Sequence, residues 1–192
     1  MHTMMNPELV VFTGPMFSSK TTRLLLAAEK SKRRGRTVLA YKSSLDGRYH
    51  EANITSHMGW SLPAEPVSSG ADIWRHVEKN CSIQDVDPAS VTIVVDEAFM
   101  IEGAAETIFR LYRRGYTVFV SSIQLSSDGE SFNEMEKLLP YATKVEVCSA
   151  ACSVCGADAF YSSRTSVVDD VIHVGGSQSY EPRCWHHFDK LR

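Results

Sequence analysis

The stretch "ELVVFTGPMFSSKTTRLLLAAEKSKRRGR", residues 8–36, constrains the fold most. A short apolar, β-branched run ends near Gly14, and Lys20-Thr21 opens a helical pattern whose Leu24, Leu25 and Ala28 share one face. This is the strand–loop–helix context of a phosphate-binding loop, Gly-x-x-x-x-Gly-Lys-Ser/Thr, with Ser19 where the second glycine belongs. In such a loop the backbone N–H groups of Gly14, Pro15 to Ser19 and the helix start cradle phosphates, excepting proline, which has no N–H. Lys20 reaches the β- and γ-phosphates and the Thr21 hydroxyl ligates Mg²⁺. A serine at position 19 costs about 1 kcal/mol if the backbone there needs positive φ, and little if it is right-handed. The plain alternative is a glycine turn with an exposed lysine.

Four further strand candidates follow: "RTVLAY" (36–41), "VTIVVD" (91–96), "YTVFVSSI" (116–123) and "TKVEVC" (143–148). Several are continuous apolar runs, as expected of parallel strands covered on both faces. Helix patterns cover 20–34, 71–79, 102–114 and 131–139, with Gly35 and Gly115 placed to end two of them after basic residues. The alternation predicts an α/β fold: a mostly parallel sheet flanked by helices, of the P-loop NTPase kind. The basic run "KSKRRGR" reads either as a nucleic-acid patch or, more plainly, as a solvated helix end complementing the dipole.

"VTIVVDEAF" brings a buried strand to an end on Asp96 and Glu97. Ligands gather at the carboxyl ends of parallel strands. There Asp96 suits the Mg²⁺ side, directly or through water, and Glu97 suits a general base. A polar turn after a core strand is the alternative.

From about residue 149 the texture turns to Cys, Ser, Gly and His, which divides the chain into an α/β part, 1–148, and a small lobe, 149–192. "CSVC" (152–155) and "CWHH" (184–187) combine C-x₂-C with C-x₂-H. Cys152, Cys155, Cys184 and His187 make a closed four-ligand zinc set, structural because no position is left for water. His186 is the alternative fourth ligand. Five cysteines, an odd number, fit a reducing compartment better than a disulfide frame.

A net charge of −3 argues against a broad grip on nucleic acid, including a zinc ribbon that binds it. No apolar run approaches the roughly 20 residues that span a bilayer. "MHTMMNPEL" lacks the regions of a secretory signal, so a cytoplasmic location is expected.

Together these stretches resemble the zinc-containing thymidine kinases of bacteria, viruses and the animal cytosol. "GPMFSSKTTRLL" resembles that family's phosphate loop, and "SLDGRYHEANITSHMG" its D-x-R segment followed by S-H. "VVDEAF" resembles its D-E-A/G-Q-F. "VIHVGGSQSYEPRCWHHF" resembles its glycine pair, tyrosine and last two metal ligands, all in order from Val10 to Phe188. The resemblance implies transfer of the ATP γ-phosphoryl to the 5′-hydroxyl of a deoxynucleoside, thymidine first. It implies Asp46 and Arg48 near the phosphates and Glu97 as base. Between the zinc knuckles it implies a lasso loop in which Val171, Ile172, His173, Val174 and Gly175, with Tyr180, bind the base. Met16 and Phe132 would wall the pocket. A tetramer and inhibition by the end-product triphosphate, dTTP, are implied as well.

Each of these residues has a plainer reading: a surface pair for Asp46 and Arg48, a loop anchor for Tyr180, core for Met16 and Phe132. The chain also departs from the family pattern. Phe99 replaces a glutamine, Met100 a phenylalanine, Ile123 a leucine, Gln124 an aspartate, Ser127 an aromatic residue and Ser131 a proline. The phosphate residues are intact while the base pocket is altered, with Phe99 placed to compensate. Another or a modified pyrimidine, or a nucleotide- or nucleoside-binding protein with weak turnover, is the competing expectation.

Overall fold

The structure is a computed structural model that describes residues 6–46, 52–82, 86–165 and 179–191. In chain order the elements begin with β1 (Leu9–Thr13), α1 (Lys20–Arg33), β2 (Thr37–Ser43), β3 (Asn53–Thr55), β4 (Ser61–Pro63), β5 (Glu65–Val67) and α2 (Gly70–Val77). They continue with β6 (Val91–Asp96), α3 (Ala104–Arg113), β7 (Thr117–Ser122), α4 (Asn133–Leu138) and β8 (Lys144–Val147). Four short strands follow: β9 (Ala150–Ala151), β10 (Asp158–Ala159), β11 (Tyr161–Arg164) and β12 (Tyr180–Arg183).

Six strands form one sheet in the order β5-β2-β6-β7-β1-β8, every neighbouring pair parallel. The unbroken apolar runs are resolved by the strand period of two. Leu9, Val11, Ile93, Val95, Val118 and Val120 face one side, against α2, α3 and α4. Val10, Phe12, Val94 and Phe119 face the other, against Leu24, Leu25 and Ala28 of α1 and against Ile54 and Leu62 of the β3–β4 hairpin. Burying a leucine fully is worth about 1.5–3 kcal/mol, so Leu24 and Leu25 contribute strongly to holding α1 on the sheet.

Both expected glycine stops are present. Gly35 and Gly115 have φ of 78° and 96°. Their N–H groups donate to Lys32 and Tyr112, and the next residues, Arg36 and Tyr116, donate back to Ser31 and Leu111. This pair of bonds satisfies the last carbonyls of each helix. The basic run is therefore the exposed last turn and cap of α1. Ser69 caps α2 in a reciprocal box with Asp72, starting that helix at Gly70. The sequence reading lacked β5, which is three residues long, holds Pro66 and lies at the sheet edge, the place a proline is tolerated. Among the described residues no helix is long and apolar enough to cross a membrane.

Candidate active site

The carboxyl ends of β1, β2 and β6 converge on one region. Gly14 leaves β1 with φ 144°, and a side chain there would run into the Cys148 carbonyl, so only glycine fits. Phe17 and Ser19 have φ of 65° and 62°. The left-handed N-cap at Ser19 means that the serine carries the strain of about 1 kcal/mol, not the right-handed alternative. Its side chain is exposed and makes no capping bond that would offset this strain. The buried Ser18 hydroxyl donates to the Pro15 carbonyl at 2.8 Å, and Lys20 Nζ donates to the same oxygen at 2.6 Å. The loop thus curls around its own lysine, with Met16, Phe17, Ser18, Ser19, Lys20 and Thr21 lining a hollow that His57 and Glu97 close.

Among the described residues Glu97 is the third non-glycine residue with positive φ, at 51°. All three such residues border this hollow, a concentration of backbone strain typical of working sites. The Thr21 hydroxyl lies 3.4 Å from Asp96 Oδ1, and the Ser121 hydroxyl donates to the same oxygen. Burial pushes the Asp96 carboxyl up to about 7, the neighbouring Glu97 charge adds to the rise, and the Ser121 hydrogen bond partly opposes it. Octahedral Mg²⁺ takes oxygens at about 2.0–2.1 Å, and Thr21 and Asp96 are close enough to share one. Asp46 is buried, and it lines a second hollow with Thr21, Lys42, Asn53, Asp96 and Glu97. Arg48, Val171, Ile172, His173, Val174 and Gly175 lie outside the described residues.

Met16 borders the loop hollow, and its N–H donates to Ser162 of β11 at 3.0 Å. Phe132 packs on Phe99 with ring centroids 4.5 Å apart. Neither phenylalanine is among the residues lining the two described hollows. Tyr180 begins β12, paired with Arg164 of β11, whose guanidinium donates to its hydroxyl at 3.4 Å. His57, the histidine of the S-H pair, lines both hollows with its ring 5.4 Å from that of Phe17, and Lys42, which the sequence did not single out, lines the second.

The second cluster is cysteine-rich. One ligand atom each from Cys152, Cys155, Cys184 and His187 lies within 4.8 Å of all the others. His187 presents Nδ1 to the group, 3.2 Å from Cys184 Sγ and 3.7 Å from Cys152 Sγ, and Cys155 Sγ is 3.7 Å from Cys184 Sγ. Tetrahedral zinc with Zn–S of about 2.3 Å and Zn–N of about 2.0–2.1 Å places its ligands about 3.5–3.8 Å apart, so these spacings fit that ion. The geometry brings in His187 rather than His186. Burial opposes ionisation of the Cys152 thiol, but the backbone N–H groups of Cys184, Val154 and Cys155 outweigh it, and with His187 they lower it to about 5. A thiolate there is what a zinc ligand must be. Phe17 packs against the core formed by Ala150, Cys152, Ala159 and Cys184, so the cysteine cluster and the phosphate loop are in contact.

A glycine-anchored loop opening a helix, a carboxylate pair at the end of a central parallel strand, and a hydroxyl facing that pair define the P-loop phosphotransferase class. Within that class the assignment is narrower: a family model described as thymidine kinase matches residues 7–188, and the chain belongs to that family. It is a phosphotransferase, with the family's deoxynucleoside kinase activity and ATP as donor.

Proposed function

We propose that the protein converts a pyrimidine deoxynucleoside, thymidine first, and ATP into the nucleoside 5′-monophosphate and ADP. The observation that carries the detail is the meeting of Thr21, Asp96 and Glu97 at the mouth of the phosphate loop. Gly14 to Ser19 hold the phosphate chain through backbone N–H groups, and Lys20 leaves the Pro15 carbonyl for the β- and γ-phosphate oxygens. Thr21 and Asp96 hold Mg²⁺, which offsets phosphate charge when bound. Glu97 accepts the proton as the 5′-oxygen bonds to the γ-phosphorus and the bond from that phosphorus to ADP breaks. Asp46 and Arg48 flank the phosphates.

Residues 1–148 carry this chemistry. Residues 149–192 bind a structural Zn²⁺ through Cys152, Cys155, Cys184 and His187 and present Val171 to Gly175 and Tyr180 to the base. A homotetramer in the cytoplasm, inhibited by dTTP, completes the proposal by family likeness. The Phe99–Phe132 pair, standing where the family has a glutamine, supports a second reading in which a different or modified pyrimidine is preferred. The test is a panel of thymidine, deoxyuridine, deoxycytidine, 5-hydroxymethyl-deoxyuridine and purine deoxynucleosides with Mg-ATP. One pyrimidine monophosphate should dominate; phosphorylation of purines alone would refute the reading.

A further inference from the structure

Lys42 sits on β2 in register with Asp96 of β6, and Asp96 stands beside Ser121 of β7 because Val95 pairs with Val120. Counting by two from Ala40, Val94 and Phe119, which pack on the α1 side, puts Lys42, Asp96 and Ser121 in one row on that face. The row lies at the carboxyl edge of the sheet, where Thr21 reaches Asp96. Lys42 is 4% exposed, yet it lines the hollow shared by Thr21, Asp46, Asp96 and Glu97.

Its ammonium donates to the Asn53 carbonyl at a long 3.4 Å. A buried ammonium gives up most of its hydration, and one long bond to a neutral carbonyl is weak compensation. The row therefore holds a desolvated cation aimed into a space that, on the kinase reading, receives the donor's terminal phosphate. Three carboxylates, Asp46, Asp96 and Glu97, border the same space and repel a polyanion. Lys20 opens α1 and lines the adjoining hollow, which shares Thr21, His57 and Glu97 with this one, so Lys42 from β2 and Lys20 from α1 approach the Thr21–Glu97 border from different elements.

We infer that Lys42 is a second catalytic lysine, whose ammonium contacts the γ-phosphate together with Lys20 and stabilises the charge on its equatorial oxygens during transfer. The inference rests on the kinase reading above.

The experiment measures dissociation constants for Mg-ADP and for a non-hydrolysable Mg-ATP analogue, and turnover with the preferred nucleoside. It compares the parent, Lys42→Met and Lys42→Arg, with melting temperature as the folding control. Lys42→Met should lower kcat about 10²-fold or more, the loss seen when one preorganised charge-stabilising donor is removed. It should weaken the triphosphate about tenfold and leave the diphosphate within about twofold, with Lys42→Arg restoring part of the loss. Equal weakening of both nucleotides, or turnover equal to the parent, would overturn it, because a merely structural lysine cannot distinguish the third phosphate. If Lys42→Met does not fold, Lys42→Gln carries the same comparison. A parent that phosphorylates no nucleoside would sink the kinase reading, while the triphosphate-to-diphosphate comparison still decides the contact.

Discussion

The Thr21 hydroxyl donates to Asp96 Oδ1 across 3.4 Å, tying the first turn of α1 to the end of β6 between residues 75 apart in sequence. It brings the helix start that suits phosphates to the strand end that suits a cation. Two short motifs that are separate in the chain become one site because α1 crosses the sheet face on which Asp96 points.

Asp96 should make stability without Mg²⁺ fall as pH rises. Its folded carboxyl is raised, by burial first and then by Glu97, to about 7, above an ordinary aspartate near about 3.9. Below the ordinary value the group is protonated in both states. Between the two values the unfolded chain ionises while the folded one holds its proton, so this contribution is lost as pH climbs through about 7. Asp96→Asn should flatten the fall. Unfolding free energies for both proteins from pH 5 to 8 (an ordinary working range, roughly) check it; parallel curves would refute the raised carboxyl.

Ser19→Gly should raise stability without nucleotide or leave it unchanged, because the native φ of 62° disfavours any side chain. The gain is at most about 1 kcal/mol, or about 2–4 °C in melting temperature at this size. Ser19→Val, with a branched side chain in the same backbone, should melt lower than the parent. A valine variant more stable than the glycine one would contradict the left-handed assignment.

Zinc should be present at one ion per chain and should support the phosphate loop as well as the cysteine cluster. Phe17 packs on the core around Cys152 and Cys184, and Met16 N–H donates to Ser162 at 3.0 Å. Cys184→Ser or His187→Ala should release zinc, lower the melting point by at least about 4–8 °C for a loss of some 2 kcal/mol, and weaken ADP binding. His186→Ala should keep the metal. Metal analysis and calorimetry read these outcomes, and zinc retained by His187→Ala would assign the fourth ligand elsewhere.

Phe99→Gln should change which nucleoside is preferred more than how fast the best one reacts. The ring meets Phe132 at 4.5 Å, and an aromatic pair is worth about 0.5–1.5 kcal/mol beyond its area. That corresponds to a change of about 2- to 12-fold in the ratio of kcat/KM between two pyrimidines. An unchanged ratio would remove Phe99 and Phe132 from the base pocket.

Five strands and four helices were legible because each carries its own local signal. Val91 to Val95 form a run long enough to mark a buried strand, and Gly35 and Gly115 mark the helix ends. The cysteine–histidine cluster was legible, His187 rather than His186 included, because C-x₂-C and C-x₂-H encode their own geometry, and the four side chains do meet. Ser19 was legible as a departure but not as a left-handed residue, since φ at a loop position depends on how Gly14 and Lys20 are anchored. Lys42 was not legible. The expected second strand ended at Tyr41, two residues before the observed end at Ser43, and only the register of β2 against β6 brings Lys42 beside Asp96. Likewise β5 has three residues and a proline, too few for any period to show.

The central claim is that Glu97 receives the proton of the attacking hydroxyl. Production of the 5′-monophosphate from Mg-ATP and the preferred pyrimidine deoxynucleoside, parent against Glu97→Gln, tests it directly. The account predicts a kcat lower by about 10²- to 10⁴-fold with ATP affinity nearly unchanged. A glutamine variant that turns over at the parent's rate would contradict it and leave Glu97 as a strained turn residue.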